Sequence, residues 1–214
     1  MGRLIDPERR ERARLKRPAR RTRILEEARS TFARMPFVEV TLDHIGQRAG
    51  VERGVTSMYF GSREGLFLLL LREELEAWYD ELERRLQAVE NPVASAVMSL
   101  SVESLVERPL LARLLSLAPV VLEQNMEPME VFRFQRWRRD RMAAVGDALE
   151  RAGGLDPGAG FRLLHLLQLL TAGLEPAANP RGAAAFDHAD PEFASLQVSL
   201  ESELKRLLEA AIRR

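Results

Sequence analysis

No cysteine occurs in the 214 residues, which removes disulfide scaffolds, thiolate zinc sites and thiol nucleophiles and agrees with a reducing compartment. Long apolar runs are missing too. The longest, Leu66 to Leu71 and Leu117 to Leu122, hold six residues each, against the roughly 20 that a bilayer-spanning helix needs. The N-terminus carries charge but neither the apolar stretch nor the small-residue cleavage site of a secretory signal, so the chain is expected in the cytoplasm. Histidine is scarce: His44, His165 and His188 lie far apart, with no H-x₃-H spacing and no Cys partner, and no metal site is expected. No nucleophile with a base at usable spacing and no phosphate loop is found. Catalytic residues and a cofactor are therefore not expected, and the enzyme classes drop out.

An excess of one charge is also lacking, with 32 Lys+Arg against 32 Asp+Glu, but the balance is uneven along the chain. Residues 1–63 hold 15 basic and 8 acidic residues, a balance of +7; residues 64–214 hold the remaining 17 and 24, a balance of −7. A basic first third on an acidic body points to a polyanion met by the first third alone. The charge is densest in residues 1–21, with nine basic and three acidic residues and almost no apolar periodicity. That segment reads as a basic flexible arm.

Helical periodicity begins after Pro18, where Ile24, Leu25, Ala28 and Phe32 share a face behind Thr22 as N-cap, and Pro36 ends the helix. A short second helix starts at Thr41, whose hydroxyl can cap the first turn, with Asp43 favouring the positive end of the dipole and Leu42, Ile45 and Ala49 on one face. Gly50 then allows a sharp turn before a third helix over Glu52 to Tyr59. A long fourth helix starts at Ser62 and carries Leu66, Leu70, Leu75, Trp78 and Leu82 until Asn91-Pro92. Further helices are expected near 93–107, 110–124, 127–152, 158–175 and 190–212, with Asn125 as an N-cap. The pattern predicts an all-α fold of eight or nine helices, without strand alternation.

Thr41 to Arg63 carries the functional signal. Helix, glycine turn, helix is the pattern that presents a second helix to a DNA groove. Gly46 and Gly50 allow close backbone approach, and the expected exposed positions of the third helix are Glu52, Arg53, Val55, Thr56 and Tyr59, which mix guanidinium, methyl and hydroxyl groups suited to base edges and phosphates. Thr41, Ser62 and Arg63 place backbone amides and a cation where flanking phosphates would lie.

This segment resembles the N-terminal domain of the tetracycline-repressor (TetR) family. The likeness rests on the apolar helix Ile24–Phe32, Thr41–Val51 ending in Ala49-Gly50-Val51, the stretch Gly54–Phe60, and Gly61-Ser62-Arg63-Glu64-Gly65-Leu66. Farther on, Val121 to Asn125, Gly173-Leu174 and Asn179-Pro180 resemble a subgroup of the family's ligand-binding domains. The resemblance implies a DNA-binding domain over 22–66, with Ser57 among its contacts, and a ligand-binding and dimerisation domain over 67–214. It implies a homodimer on a palindromic double-stranded operator, released by a small-molecule inducer. The sequence departs from the family pattern at Pro36, at Gly46 where Ala is common, at Val55-Thr56, and at Ser57-Met58-Tyr59 in place of a frequent Tyr-Tyr-His. Tyr59 then becomes the source of the aromatic hydroxyl.

In the second domain Trp78, Met98, Phe132, Trp137 and His165 are candidates for a pocket that takes a hydrophobic ligand. Core packing accounts for them equally, and for His165 a satisfied core or interface position stands beside a ligand contact. Leu163 to Leu174 and Leu196 to Ile212 are the apolar surfaces open to dimerisation or to the core. Arg133, Arg136, Arg138, Arg139 and Arg141 form a second basic cluster, suited to ion pairing with the acidic body. A second reading of the whole chain keeps the DNA-binding domain but has no working inducer pocket and answers to a protein partner.

Overall fold

The computed structural model describes residues 7–89, 93–181 and 191–212, and the expected stop at Asn91-Pro92 and His188 lie outside them. Every regular element among the described residues is helical. The helices are α1 (Pro7–Arg34), α2 (Leu42–Arg48), α3 (Val55–Phe60), α4 (Arg63–Gln87), α5 (Ala94–Val106), α6 (Pro109–Leu117), α7 (Pro128–Gly153), α8 (Ala159–Ala178) and α9 (Leu200–Ile212). Two compact units divide after Leu70, within α4.

In the first unit the predicted stripe of α1 is the core: Ile24, Leu25, Ala28 and Phe32 are all buried. Phe32, Phe37 and Phe67 meet edge to face, with ring centroids 5.0 Å apart in the two pairs that involve Phe67 and 6.3 Å apart in the third. Phe37 lies in the 3₁₀ turn Phe37–Glu39, and Val40, Ile45, Leu66 and Leu70 complete the cluster. The start of α1 differs from expectation. The helix runs through Pro18 from Pro7, and Thr22 is an interior residue whose hydroxyl donates to the Pro18 carbonyl at 3.1 Å. Residues 8–17 are almost all strong helix formers, so intrinsic propensity favours the helix there.

The second unit packs around α8. Leu163, Leu164 and Leu167 of α8 are buried, as are Leu111, Leu114 and Leu115 of α6, Val145 and Leu149 of α7, and Leu204 and Leu208 of α9. α7 and α8 touch backbone to backbone at two glycines. A Cβ on Gly146 would stand 2.7 Å from the amide nitrogen of Phe161, and one on Gly160 would collide with the Gly146 carbonyl.

Three more expectations are corrected. The helix predicted over 110–124 stops at Leu117 and continues as a π turn, Ala118–Leu122, and a 3₁₀ turn, Glu123–Asn125. Pro119 has no N–H to donate, and the hydrogen-bond ladder changes pitch around it. Asn125 does not cap α7: its amide donates to the Val121 carbonyl at 2.7 Å, and Glu127 occupies the cap position before Pro128. The stretch expected as one helix from 190 is a 3₁₀ segment, Pro191–Leu196, followed by α9.

Candidate nucleic-acid interface

The turn between α2 and α3 is built from hydrogen bonds that only a left-handed residue can close. Gly50 has φ +64°, its N–H donates to the Gln47 carbonyl, and the Val51 N–H reaches back to the Gly46 carbonyl at 3.0 Å. This is the paired geometry of a glycine-terminated helix. Thr41 caps the other end of α2, its hydroxyl accepting from the His44 N–H at 3.1 Å. Ser62 does the same before α4, accepting from the Gly65 N–H at 2.9 Å.

The third helix is shorter than expected. Gly54 sits at φ +82° as its N-cap, so α3 begins at Val55, and Glu52 and Arg53 belong to the turn. Its phase is also corrected. Thr56, expected to be exposed, is buried against α2, where a Cβ on Gly46 would lie 2.5 Å from the Thr56 hydroxyl oxygen. The outward positions are Ser57 and Met58, with Val55 and Tyr59 half-buried at their sides. Met58, 73% exposed, is an outward residue of α3 that sequence reasoning did not single out. Six residues carry too little periodicity to set a phase, although the glycine at 46 opposite a threonine held the signal.

Thr41, Glu52 and Arg53 are exposed and Ser62 and Arg63 are half-buried. Arg53 donates from Nε to Asp43 Oδ2 at 3.1 Å across the turn. Arg48 reaches Glu27 of α1 at 2.9 Å. Arg63, expected to offer a free cation, is engaged inside the unit. Its Nη1 donates to the carbonyls of Phe37 and Val40, both at 3.2 Å; Nε and Nη2 donate to Glu64 Oε1; and the guanidinium lies 4.2 Å over the Phe37 ring. The residue ties the start of α4 to the 3₁₀ turn ahead of α2.

In the second unit the five candidate pocket residues have unlike surroundings. Trp78 is buried and its indole N–H donates to Ser104 Oγ at 3.0 Å; Met98 is buried; Trp137 is half-buried with the Arg72 guanidinium 4.8 Å above its ring; His165 is half-buried beside Phe161. Phe132 is 59% exposed, on a concavity whose other lining residues are Gln135, Arg136 and Arg139. The interior holds polar groups that were not anticipated. Gln168, itself buried, donates to the buried Tyr79 hydroxyl at 3.0 Å and to the Leu164 carbonyl at 3.2 Å, while its Oε1 is unpartnered. Burial holds the Tyr79 hydroxyl well above the usual tyrosine range. Of the second basic cluster, Arg141 is paired with Glu76, Asp80 and Glu83 of α4, and Arg139 with Asp140. Among the described residues no three His, Asp or Glu side chains converge as a metal site requires, and no helix is long and apolar enough to cross a membrane.

A capped helix, a left-handed turn and a second helix with Ser57 and Met58 outward, within the first 63 residues that carry a balance of +7, define a helix-turn-helix DNA-binding protein. The comparisons agree. Residues 24–70 match the family of bacterial regulatory proteins of tetR type, and residues 72–213 match the tetracyclin repressor-like C-terminal domain. The chain belongs to the TetR family of transcriptional regulators. It is 34% identical over 76 residues to the HTH-type regulator BetI 1 of Chromohalobacter salexigens and 27% identical over 74 residues to HbdR of an Aromatoleum species. Each match takes in 35% of this chain, but only 38% and 32% of those relatives. Among solved structures, FadR of Bacillus subtilis in complex with stearoyl-CoA superposes with a TM-score of 0.55 at 14% identity, covering 89% of this chain and 97% of FadR. LfrR of Mycobacterium smegmatis in complex with proflavine gives 0.54 at 20% identity, covering 92% and 98%. At such identities the likeness is one of fold.

Proposed function

We propose that this regulator is a cytoplasmic homodimeric repressor that binds a palindromic operator and is released by a small, largely hydrophobic ligand. The observation that carries the DNA-binding part is the exposed surface of Thr41, Glu52, Arg53, Ser57 and Met58, flanked by Val55, Tyr59 and Ser62, in the first third of the chain, which carries the positive balance. Side chains of this kind contact base edges, while the capped helix starts meet phosphates. A dimer is supported by α8, whose one face is core while Leu166 and Leu169 are exposed at 36% and 55%. An apolar stripe on a helix otherwise in the core suits a two-fold contact. Two recognition elements must then stand about 34–36 Å apart, or a multiple in helical turns, so a shift of a few ångströms releases both together.

The inducer is supported by family membership, by solved relatives of the same fold that hold stearoyl-CoA or proflavine, and by the partnerless carbonyl oxygen of Gln168 inside the second unit. A second reading, with no working pocket and control by a protein partner, is favoured by the unlike surroundings of the five candidate pocket residues. Selection of bound fragments from the source genome by purified protein tests the first part. An enriched palindrome supports the operator reading, and enrichment no better than salt-sensitive background removes it. Thermal unfolding with compounds suggested by the neighbouring genes separates the two readings, because a ligand at a hundredfold its Kd stabilises the fold by about 2.7 kcal/mol.

A further inference from the structure

We propose that Asp43 is a specificity-determining positioning residue: it holds the guanidinium of Arg53 so that its outer edge reads a guanine in each half-site. The inference rests on the operator reading above and goes beyond it to a base and to a residue not counted among the contacts. Arg53 lies in the turn between α2 and α3, with its side chain 91% exposed, and Asp43 lies in the first turn of α2 with 54% of its side chain exposed. Only Nε is bonded to the carboxylate, at 3.1 Å. A guanidinium is planar and presents its five N–H groups in a fixed fork, so securing Nε sets the plane and leaves the Nη1 and Nη2 pair directed outward.

Two parallel donors require two adjacent acceptors. In the major groove guanine alone offers them, as O6 and N7; adenine pairs an acceptor with a donor, and thymine has a single acceptor beside a methyl group. The surroundings disfavour the other common target of an arginine. Arg53 shares its concavity with two carboxylates, Asp43 and Glu52, together with Gln47 and Gly54. A phosphate entering there meets two negative charges for one positive, whereas a neutral base edge does not. In the free protein an ion pair this exposed contributes little. Its effect develops when DNA excludes water and the orientation of Arg53 decides which base it satisfies.

The test is selection from a random double-stranded DNA library by full-length protein, by Arg53→Ala, by Asp43→Asn and by Asp43→Glu, with circular dichroism confirming that each variant is folded. The wild-type protein is expected to enrich a guanine at one symmetric position of each half-site. Arg53→Ala loses that preference by roughly 5- to 150-fold, the value of one bidentate base contact, and keeps its salt dependence. Asp43→Asn and Asp43→Glu weaken the same position several-fold and no other, and Asp43→Asn binds random DNA more tightly because a negative charge is gone. The proposal is overturned if both Asp43 variants keep the wild-type preference at every position, or if Arg53→Ala weakens all sequences evenly with a shallower salt slope, which marks a phosphate contact. Failure of the wild-type protein to enrich any motif overturns the operator reading itself, and is distinct from either result.

Discussion

Arg63 joins three kinds of contact in one side chain: two backbone carbonyls, a carboxylate and an aromatic face. Arg63→Ala leaves the Val40 carbonyl without its partner, while the Phe37 carbonyl keeps the Val40 N–H, and is expected to cost about 1–3 kcal/mol, measured by urea unfolding of the full chain. Arg63→Lys keeps the charge but cannot hold the two carbonyls, the Glu64 carboxylate and the Phe37 face at once, and should recover only part of the loss. A loss of DNA affinity with no change in stability would instead show the guanidinium free to meet a phosphate. Glu123 gives a pH-dependent counterpart. Its carboxylate is held above the ordinary glutamate range, first by burial, against the lowering effects of Arg138 and of a 2.6 Å hydrogen bond from Gln135. A raised folded pKa means that the native state binds the extra proton, so stability falls as pH rises through the window between the ordinary and the raised value. Glu123→Gln keeps an acceptor for Gln135 and removes the charge. Its melting temperature should equal that of wild type below the ordinary glutamate range and exceed it above the raised value. A constant difference across pH would contradict this account.

Between elements, the α2–α3 angle depends on what stands at position 46. Alanine is the better helix former by about 1 kcal/mol, yet its Cβ would meet the buried Thr56 hydroxyl oxygen at 2.5 Å and Val51 Cγ2 at 3.3 Å. Gly46→Ala is therefore expected to lower operator affinity by shifting α3, and Gly46→Ala with Thr56→Ala to restore most of it. A double-mutant cycle on operator binding reads the coupling, and strict additivity would show that the two residues do not share the space. Gly160→Ala is harsher because the obstacle is the Gly146 backbone, and unfolding should show a loss of about 1–3 kcal/mol or more. These contacts also mark how far the sequence could be read. The α1 stripe, the Thr41 cap, the Gly50 turn and the extents of α5, α7 and α8 were legible because each is a local or periodic signal. The phase of α3, the engagement of Arg63 and the α7–α8 glycine contact were not, since each depends on a residue distant in sequence. The π turn at Pro119 lay between: the proline was visible and helical continuation to 124 was expected, but not the change from α to π and 3₁₀ pitch around it.

At the scale of the molecule, zero net charge is the sum of two opposed fields, and this governs how the protein meets DNA. Residues 64–214 at −7 disfavour loose contact with a polyanion, so non-specific binding falls to residues 1–63 at +7. Much of that charge sits before Pro18, where the chain continues as α1 from Pro7 onward. A basic segment laid along the duplex contacts phosphates without reading bases. Deleting residues 1–18 removes seven basic and three acidic side chains. The truncated protein should bind its operator more weakly, and the slope of log affinity against log salt should become shallower by about 0.9 for each phosphate that is no longer neutralised. The selected sequence should stay the same, because phosphate contacts position the protein and base contacts specify the site. Titrations of both forms at several salt concentrations check this. Equal slopes would place the N-terminal turns of α1 away from the duplex, whereas a changed motif would place them in a groove, reading bases.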